Sequence, residues 1–146
     1  MKELEIFKAD NNSHVDLQFV AEGIRAGFPS PSQDYHENLL DLNKELIHHP
    51  SATFLAKVVG LSMINAGIDE DDILIVDRSL EPRHGSIVVA YIEGEFTAKR
   101  LDLSKIKQGK IYLRSENDDY PDFCISPDDK FVVWGVVSSI IKRLAH

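Results

Sequence analysis

Ser86-Ile87-Val88-Val89-Ala90-Tyr91-Ile92-Glu93-Gly94-Glu95-Phe96-Thr97-Ala98-Lys99-Arg100-Leu101 is the stretch that decides the fold. Two runs rich in β-branched and aromatic residues flank Glu93-Gly94, which supplies a glycine where a two-residue hairpin turn needs one. The spacing predicts antiparallel strands over 86–92 and 95–101, with Ile92 opposite Glu95 and Val88 opposite Lys99. Side chains alternate along a strand, so Lys99 shares a face with Thr97 and Leu101. Across the pair it meets Val88, with Ala90 and Ser86 diagonal. A lysine on such a mostly apolar face has two readings. Turned outward it is solvated, which is the default for a strand lysine. Turned inward it is desolvated, its ammonium form is disfavoured, and its amine can accept a proton near physiological pH.

Outward from the hairpin, the pattern continues as strands. Thr53 to Val59 alternates, with Phe54, Ala56 and Val58 on one side. Ile73-Leu74-Ile75-Val76 is a short apolar run between acidic residues and reads as a buried strand. Ile111 to Arg114 and Phe123 to Ile125 are shorter strands, and Phe131 to Ile141, rich in Val and Ile and containing Trp134, is expected to close the sheet. Short strands at close spacing predict a mainly β fold, a compact curled sheet or partly open barrel. Before them, Asp41 to Ile47 reads as one or two helical turns capped by Asp41, and His48-His49-Pro50 stops it. Residues 1–40 are polar and interrupted by Asn11-Asn12-Ser13 and Pro29-Ser30-Pro31-Ser32. They are expected to form a flexible N-terminal arm, and residues 41–146 a β-rich core domain. Within the arm, residues 15–25 fit a short helical turn with Val15, Phe19, Val20 and Ile24 roughly on one face, too short to be stable alone.

Composition removes several classes of function. A chain of 146 residues has enough length for one domain with a real core. Cys124 is the sole cysteine, which excludes an internal disulfide and suits a reducing cytoplasm. Its neighbours Phe123 and Ile125 point to inert strand packing. No run reaches the roughly 20 apolar residues of a membrane span, and the N-terminus does not read as a signal peptide. A net charge of -8 argues against a broad phosphate-binding surface, so no direct specific DNA binding is expected and any link to DNA would run through a protein partner. Asp69-Glu70-Asp71-Asp72, Asp118-Asp119 and Asp128-Asp129 read as solvated acidic loops. His48, His49 and His84 lack partners at ligand spacing, so neither a metal nor another cofactor is expected. Trp134 reads as core or interface packing, and surface strands in so small a domain invite dimerisation.

The chemistry-bearing candidate is Ser62, in Gly60-Leu61-Ser62-Met63-Ile64. Gly60 ends a strand and Ser62-Met63-Ile64 can open a helical turn. A serine there either caps the turn or acts as a nucleophile, with the backbone N–H groups near Ser62 and Met63 available to an oxyanion. A nucleophilic serine needs a base, and both Lys99 and Lys57 are candidates. Upstream, Ala26-Gly27 is a bond between small residues in a segment with few helix or strand signals.

Several motifs in fixed order narrow these choices. Gly60-Leu61-Ser62-Met63-Ile64, Asp72 to Asp77, His84 to Val89, Gly94 to Leu101 and Phe131 to Val137 together resemble the LexA-type self-cleaving serine peptidases over about residues 23–143. The resemblance implies the fold of a LexA C-terminal domain, Ser62 as nucleophile, Lys99 as general base and a cut between Ala26 and Gly27. Gly27-Phe28-Pro29-Ser30-Pro31 and His49-Pro50-Ser51-Ala52-Thr53 resemble the UmuD-like branch, which lacks a DNA-binding domain before the cut. That branch implies self-cleavage stimulated by a RecA filament on single-stranded DNA, a homodimer, and service as accessory subunit to a UmuC-type lesion-bypass DNA polymerase in the SOS response. Leu61 departs from the family, which has a polar or different residue there, and residues 1–22 carry no recognised motif. Two other classes fit the residues alone: a non-enzymatic β interaction module, and a repressor-related self-cleaving peptidase.

Overall fold

The computed structural model describes residues 3–9, 16–19, 38–126 and 131–145, with the backbone alone for 16–19, 38–40 and Phe131. The chain divides into two compact units, Met1–Ala9 with Ser51–His146, and Asp10–Pro50.

The larger unit is built on one eight-stranded sheet in the order β1-β4-β5-β10-β6-β7-β8-β9, every neighbouring pair antiparallel. Its strands are β1 (Leu4–Lys8), β4 (Thr53–Val58), β5 (Ile73–Asp77), β6 (Ile87–Ile92), β7 (Glu95–Asp102), β8 (Ile111–Arg114), β9 (Phe123–Ile125) and β10 (Phe131–Ile141). The hairpin β6–β7 has the expected register, Val88 opposite Lys99 and Ile92 opposite Glu95. Glu93 and Gly94 both take positive φ, 51° and 83°, as a turn matched to strand twist requires. The fold is mainly β, a curled half-barrel.

Two bulges interrupt β10. Its register slips between Val133 and Gly135 against β6, and between Val137 and Ser139 against β5. Each extra residue bends the strand and increases local twist. Gly135 lies at the first bend, where an added Cβ would stand 2.6 Å from Val76 Cγ1. The sheet curls far enough that β1, at one end of the strand order, comes against β7. Leu4, Ala56, Val58, Met63, Leu74, Val76, Val89 and Ala98 form one buried cluster. Val88, Ala90, Leu101, Leu113, Ile125 and Val136 form another. Trp134 is half-buried, its ring 4.8 Å from that of Phe54 and 5.1 Å from that of Phe96.

Three expectations for the larger unit need correction. The strand at Phe131–Ile141 does not close the sheet; it lies in the middle, between β5 and β6. Its middle, at Gly135 and Val136, is buried, whereas Val132, Ile140 and Ile141 are exposed, so the apolar run marks a central strand without being buried along its length. Cys124 is exposed, not packed, because β9 is the last strand in the order and pairs with β8 alone. The acidic loop at 69–72 is solvated at Asp69, Glu70 and Asp71 but not at Asp72, which is buried, accepts the Asp69 N–H at 2.8 Å and pairs with Lys142 Nζ at 2.5 Å.

In the smaller unit, β2 (Asp16–Phe19) pairs antiparallel with β3 (Asn38–Asp41), and α1 (Leu42–Leu46) follows directly. Residues 16–19 are therefore a strand and not a helical turn. Val15, Leu17 and Phe19 recur at every second position, a period that competes with the helical one. Asp41 caps α1 as expected, its carboxylate accepting the Asn43 N–H at 3.0 Å.

Candidate active site

Ser62 lies just beyond β4, and Lys99 lies within β7. These strands are four steps apart in the sheet order. At about 4.8 Å per step a flat sheet would hold them about 19 Å apart. The curl brings Lys99 Nζ to 3.0 Å from Ser62 Oγ.

Local structure sets each side chain. Gly60 turns the chain out of β4 at φ 133°, a conformation that L side chains rarely adopt. No atom would obstruct a Cβ there, so its requirement is for backbone freedom and not for space. The next residues are pinned from a loop on the far side: Asn117 Nδ2 donates to the Leu61 carbonyl at 2.8 Å, and the Glu116 N–H to the Ser62 carbonyl at 2.8 Å. Glu116 also accepts the Asn65 N–H at 2.8 Å. Leu61 is 43% exposed, so its departure from a polar residue leaves the turn beneath it untouched. Ser62 does not cap a helix: the 3-10 turn Ile64–Ala66 begins after Met63 and has no side-chain cap. Among the described residues, neither the Ser62 nor the Met63 N–H has a backbone acceptor.

Lys99 is 1% exposed and Ser62 6%. The inward alternative for Lys99 is the one the fold adopts. Its competitor Lys57 is 48% exposed at the side chain and faces Asp71 at 3.9 Å. Lys99 Nζ has four partners: Ser62 Oγ at 3.0 Å, Thr97 Oγ1 at 2.9 Å, the Ala98 carbonyl at 3.1 Å and Glu3 Oε2 at 3.2 Å. Burial pushes the Lys99 pKa below its ordinary value, and the Glu3 carboxylate, with a smaller effect from Asp122, partly opposes that.

The arrangement separates two protonation states. An ammonium has three N–H groups and no lone pair. In that state Lys99 donates to Ser62, and the serine cannot be activated. A neutral amine keeps two N–H groups, which Thr97 Oγ1 and the Ala98 carbonyl can accept. Its lone pair is then left facing Ser62 Oγ. Thr97 thus orients the amine, a role that the strand register had made visible without naming.

Glu3 has no counterpart in the sequence reading. It precedes β1, and its carboxylate accepts hydrogen bonds from Thr97 Oγ1, from Lys99 Nζ and, at 3.5 Å, from Ser62 Oγ. The signal that would have found its strand is the alternation Leu4-Glu5-Ile6 within a segment otherwise read as arm. Beside Thr97 an open cleft of about 330 Å³ is lined by Glu3, Glu93, Glu95, Phe96 and Phe123 among others. Among the described residues no group of three or more His, Cys, Asp or Glu could hold a metal ion. Ala26 and Gly27 lie outside the described residues.

Comparison with known proteins agrees with this geometry. Residues 18–138 match the family described as Peptidase S24-like. Protein MucA of Salmonella typhimurium is 44% identical over 143 residues, covering 96% of this chain and 95% of the relative. Protein ImpA of Shigella flexneri is 43% identical over 123 residues, 84% of this chain and 81% of the relative. The LexA repressor of Haemophilus influenzae is 34% identical over 145 residues, covering 97% of this chain but 68% of the repressor. A curled β half-barrel, a buried serine–lysine pair and a family match over most of its length make this chain a member of the S24-like, LexA-type peptidase family.

Proposed function

We propose that this protein is a self-cleaving SOS mutagenesis protein of the UmuD-like branch, cutting its own chain at Ala26-Gly27 with Ser62 as nucleophile and Lys99 as general base. The observation that carries this reading is a buried lysine 3.0 Å from a buried serine in a chain of the S24-like peptidase family.

Neutral Lys99 takes the Ser62 proton as Oγ attacks the Ala26 carbonyl carbon. In this reading the backbone N–H groups of Ser62 and Met63 serve as the oxyanion donors. The Ala26–Gly27 C–N bond breaks as Lys99 returns the proton to the Gly27 nitrogen. Water then hydrolyses the Ala26 ester, giving a carboxylate at Ala26 and free Ser62. Tethering the substrate to the catalyst makes the encounter intramolecular, so a weak site suffices. An activator needs only to favour the docked conformer. The RecA–single-stranded DNA filament fills that role in this reading, and the trimmed homodimer serves a UmuC-type translesion polymerase in the cytoplasm.

Intact-mass measurement of purified chain at mildly alkaline pH tests the proposal, with Ser62→Ala alongside. Fragments 1–26 and 27–146 from the wild type alone are expected, at a rate that rises with pH as Lys99 loses its proton. An intact wild-type chain, also with RecA, ATP and single-stranded DNA, would leave a non-enzymatic interaction module as the better account.

A further inference from the structure

Both sides of β4 are occupied. One pairs with β5, and the other pairs with β1 from Leu4 opposite Val58 to Lys8 opposite Phe54. The Val59 N–H extends the β1 pairing by donating to the Glu3 carbonyl at 2.6 Å. The strand thus runs along the one edge of β4 that leads to Ser62, and it touches β7 as well. An extended peptide adds to a sheet through an open edge. With β1 in place, no such edge leads from β4 to the serine. At the end of this strand the Glu3 carboxylate sits among Ser62 Oγ, Thr97 Oγ1 and Lys99 Nζ, 22% exposed at its side chain. Those are the groups that would surround the carboxylate of a newly cut chain.

We propose that β1 is a built-in pseudo-product: it fills the groove for the scissile peptide, its Glu3 carboxylate occupies the position of the product carboxylate, and cleavage requires its withdrawal. This inference rests on the reading of Ser62 and Lys99 as the dyad. Glu3 acts twice. It blocks access to Oγ, and it holds a proton on Lys99 that the dyad must lose. Burial works against that proton, so the two influences oppose each other within one site. The charged groups around the lysine are Glu3 on the β1 side and Asp122 from the segment before β9; Glu93 and Glu95 line the cleft beyond Glu3.

The test compares the full-length wild type with Glu3→Gln, which keeps size and hydrogen bonding but removes the charge. Two measurements are made across pH: the first-order rate of unassisted self-cleavage by intact mass, and the Lys99 titration by side-chain NMR in a Ser62→Ala background. Glu3→Gln is expected to cleave about tenfold faster at neutral pH, with the rates converging at alkaline pH where the lysine is neutral in both. Its Lys99 midpoint is expected to fall below that of the wild type. Equal or slower cleavage at every pH would overturn the inference. Should neither protein cleave, the dyad reading fails by itself and the titration still decides: a lower midpoint in Glu3→Gln supports the role of Glu3 on the lysine, and an unchanged one overturns it.

Discussion

Replacing Lys99 with methionine, in a Ser62→Ala background so that the chain stays whole, should make the protein more stable. Lys99 is 1% exposed, and burial outweighs the attraction of Glu3 in setting its proton affinity. Methionine fills similar space without a charge to desolvate. Glu3 is 22% exposed and can turn toward water once its partner is gone. Exchanging a whole buried ion pair for apolar groups of similar volume commonly stabilises by about 1–4 kcal/mol, and that figure is an upper bound here because Glu3 remains and must turn to water. Here the Ala98 carbonyl loses a donor, which offsets about 1 kcal/mol of that. The expected gain is at most about 3 kcal/mol at neutral pH, or roughly 6–12 °C in Tm at that upper estimate. The pH dependence is the sharper signature. A lysine whose pKa is lowered by folding releases its proton earlier in the native state than in the unfolded chain. Between its folded value and the ordinary 10.5, the unfolded state binds more protons, so the lysine protein gains stability as pH rises. The slope reaches at most about 1.4 kcal/mol per pH unit. Urea unfolding of both proteins from neutral pH to above that value is the assay. The methionine protein should lead at neutral pH and the gap should shrink as alkalinity rises. A methionine protein that is less stable at neutral pH, or a gap that does not change with pH, refutes the argument.

Two further predictions follow from other parts of the fold. Gly135→Ala forces a Cβ to within 2.6 Å of Val76 Cγ1 at the first β10 bulge, and should cost about 1–3 kcal/mol in denaturant unfolding; a neutral result would mean that the bulge is not a tight packing point. Thr97→Val removes the hydroxyl that orients the Lys99 amine and should slow self-cleavage about tenfold without unfolding the protein. Thr97→Ser should restore the rate, whereas a Thr97→Val rate equal to wild type would remove threonine from the positioning role.

The hairpin shows what one chain of residues can reveal. Its turn is two residues long and side chains alternate strictly, so the partner of Lys99 and the company it keeps were both readable. Whether that face turned inward was not, because it depends on what packs above it. The central place of β10 was hidden for a similar reason. An apolar run marks a strand, but strand order is a property of the whole sheet. Cys124 has the apolar neighbours of a packed residue, yet strand β9 is terminal, and only the sheet order reveals that. Glu3 was the least legible. It meets Lys99 from 96 positions away, and no local pattern encodes a contact closed by the curl of a sheet.

The central position of β10 has a consequence in time. Strands β5 and β6, which lie on the Ser62 and Lys99 sides of the sheet, do not pair with each other; both pair with the strand that comes last in the sequence. Before Phe131–Ile141 arrives, no strand ladder joins the serine side to the lysine side, and the gap is spanned only by contacts such as those of Glu116 and Asn117 with the Ser62 turn and of β1 with β7. The order of synthesis thus leaves the serine and the lysine sides without their shared strand until the very end of the chain is made.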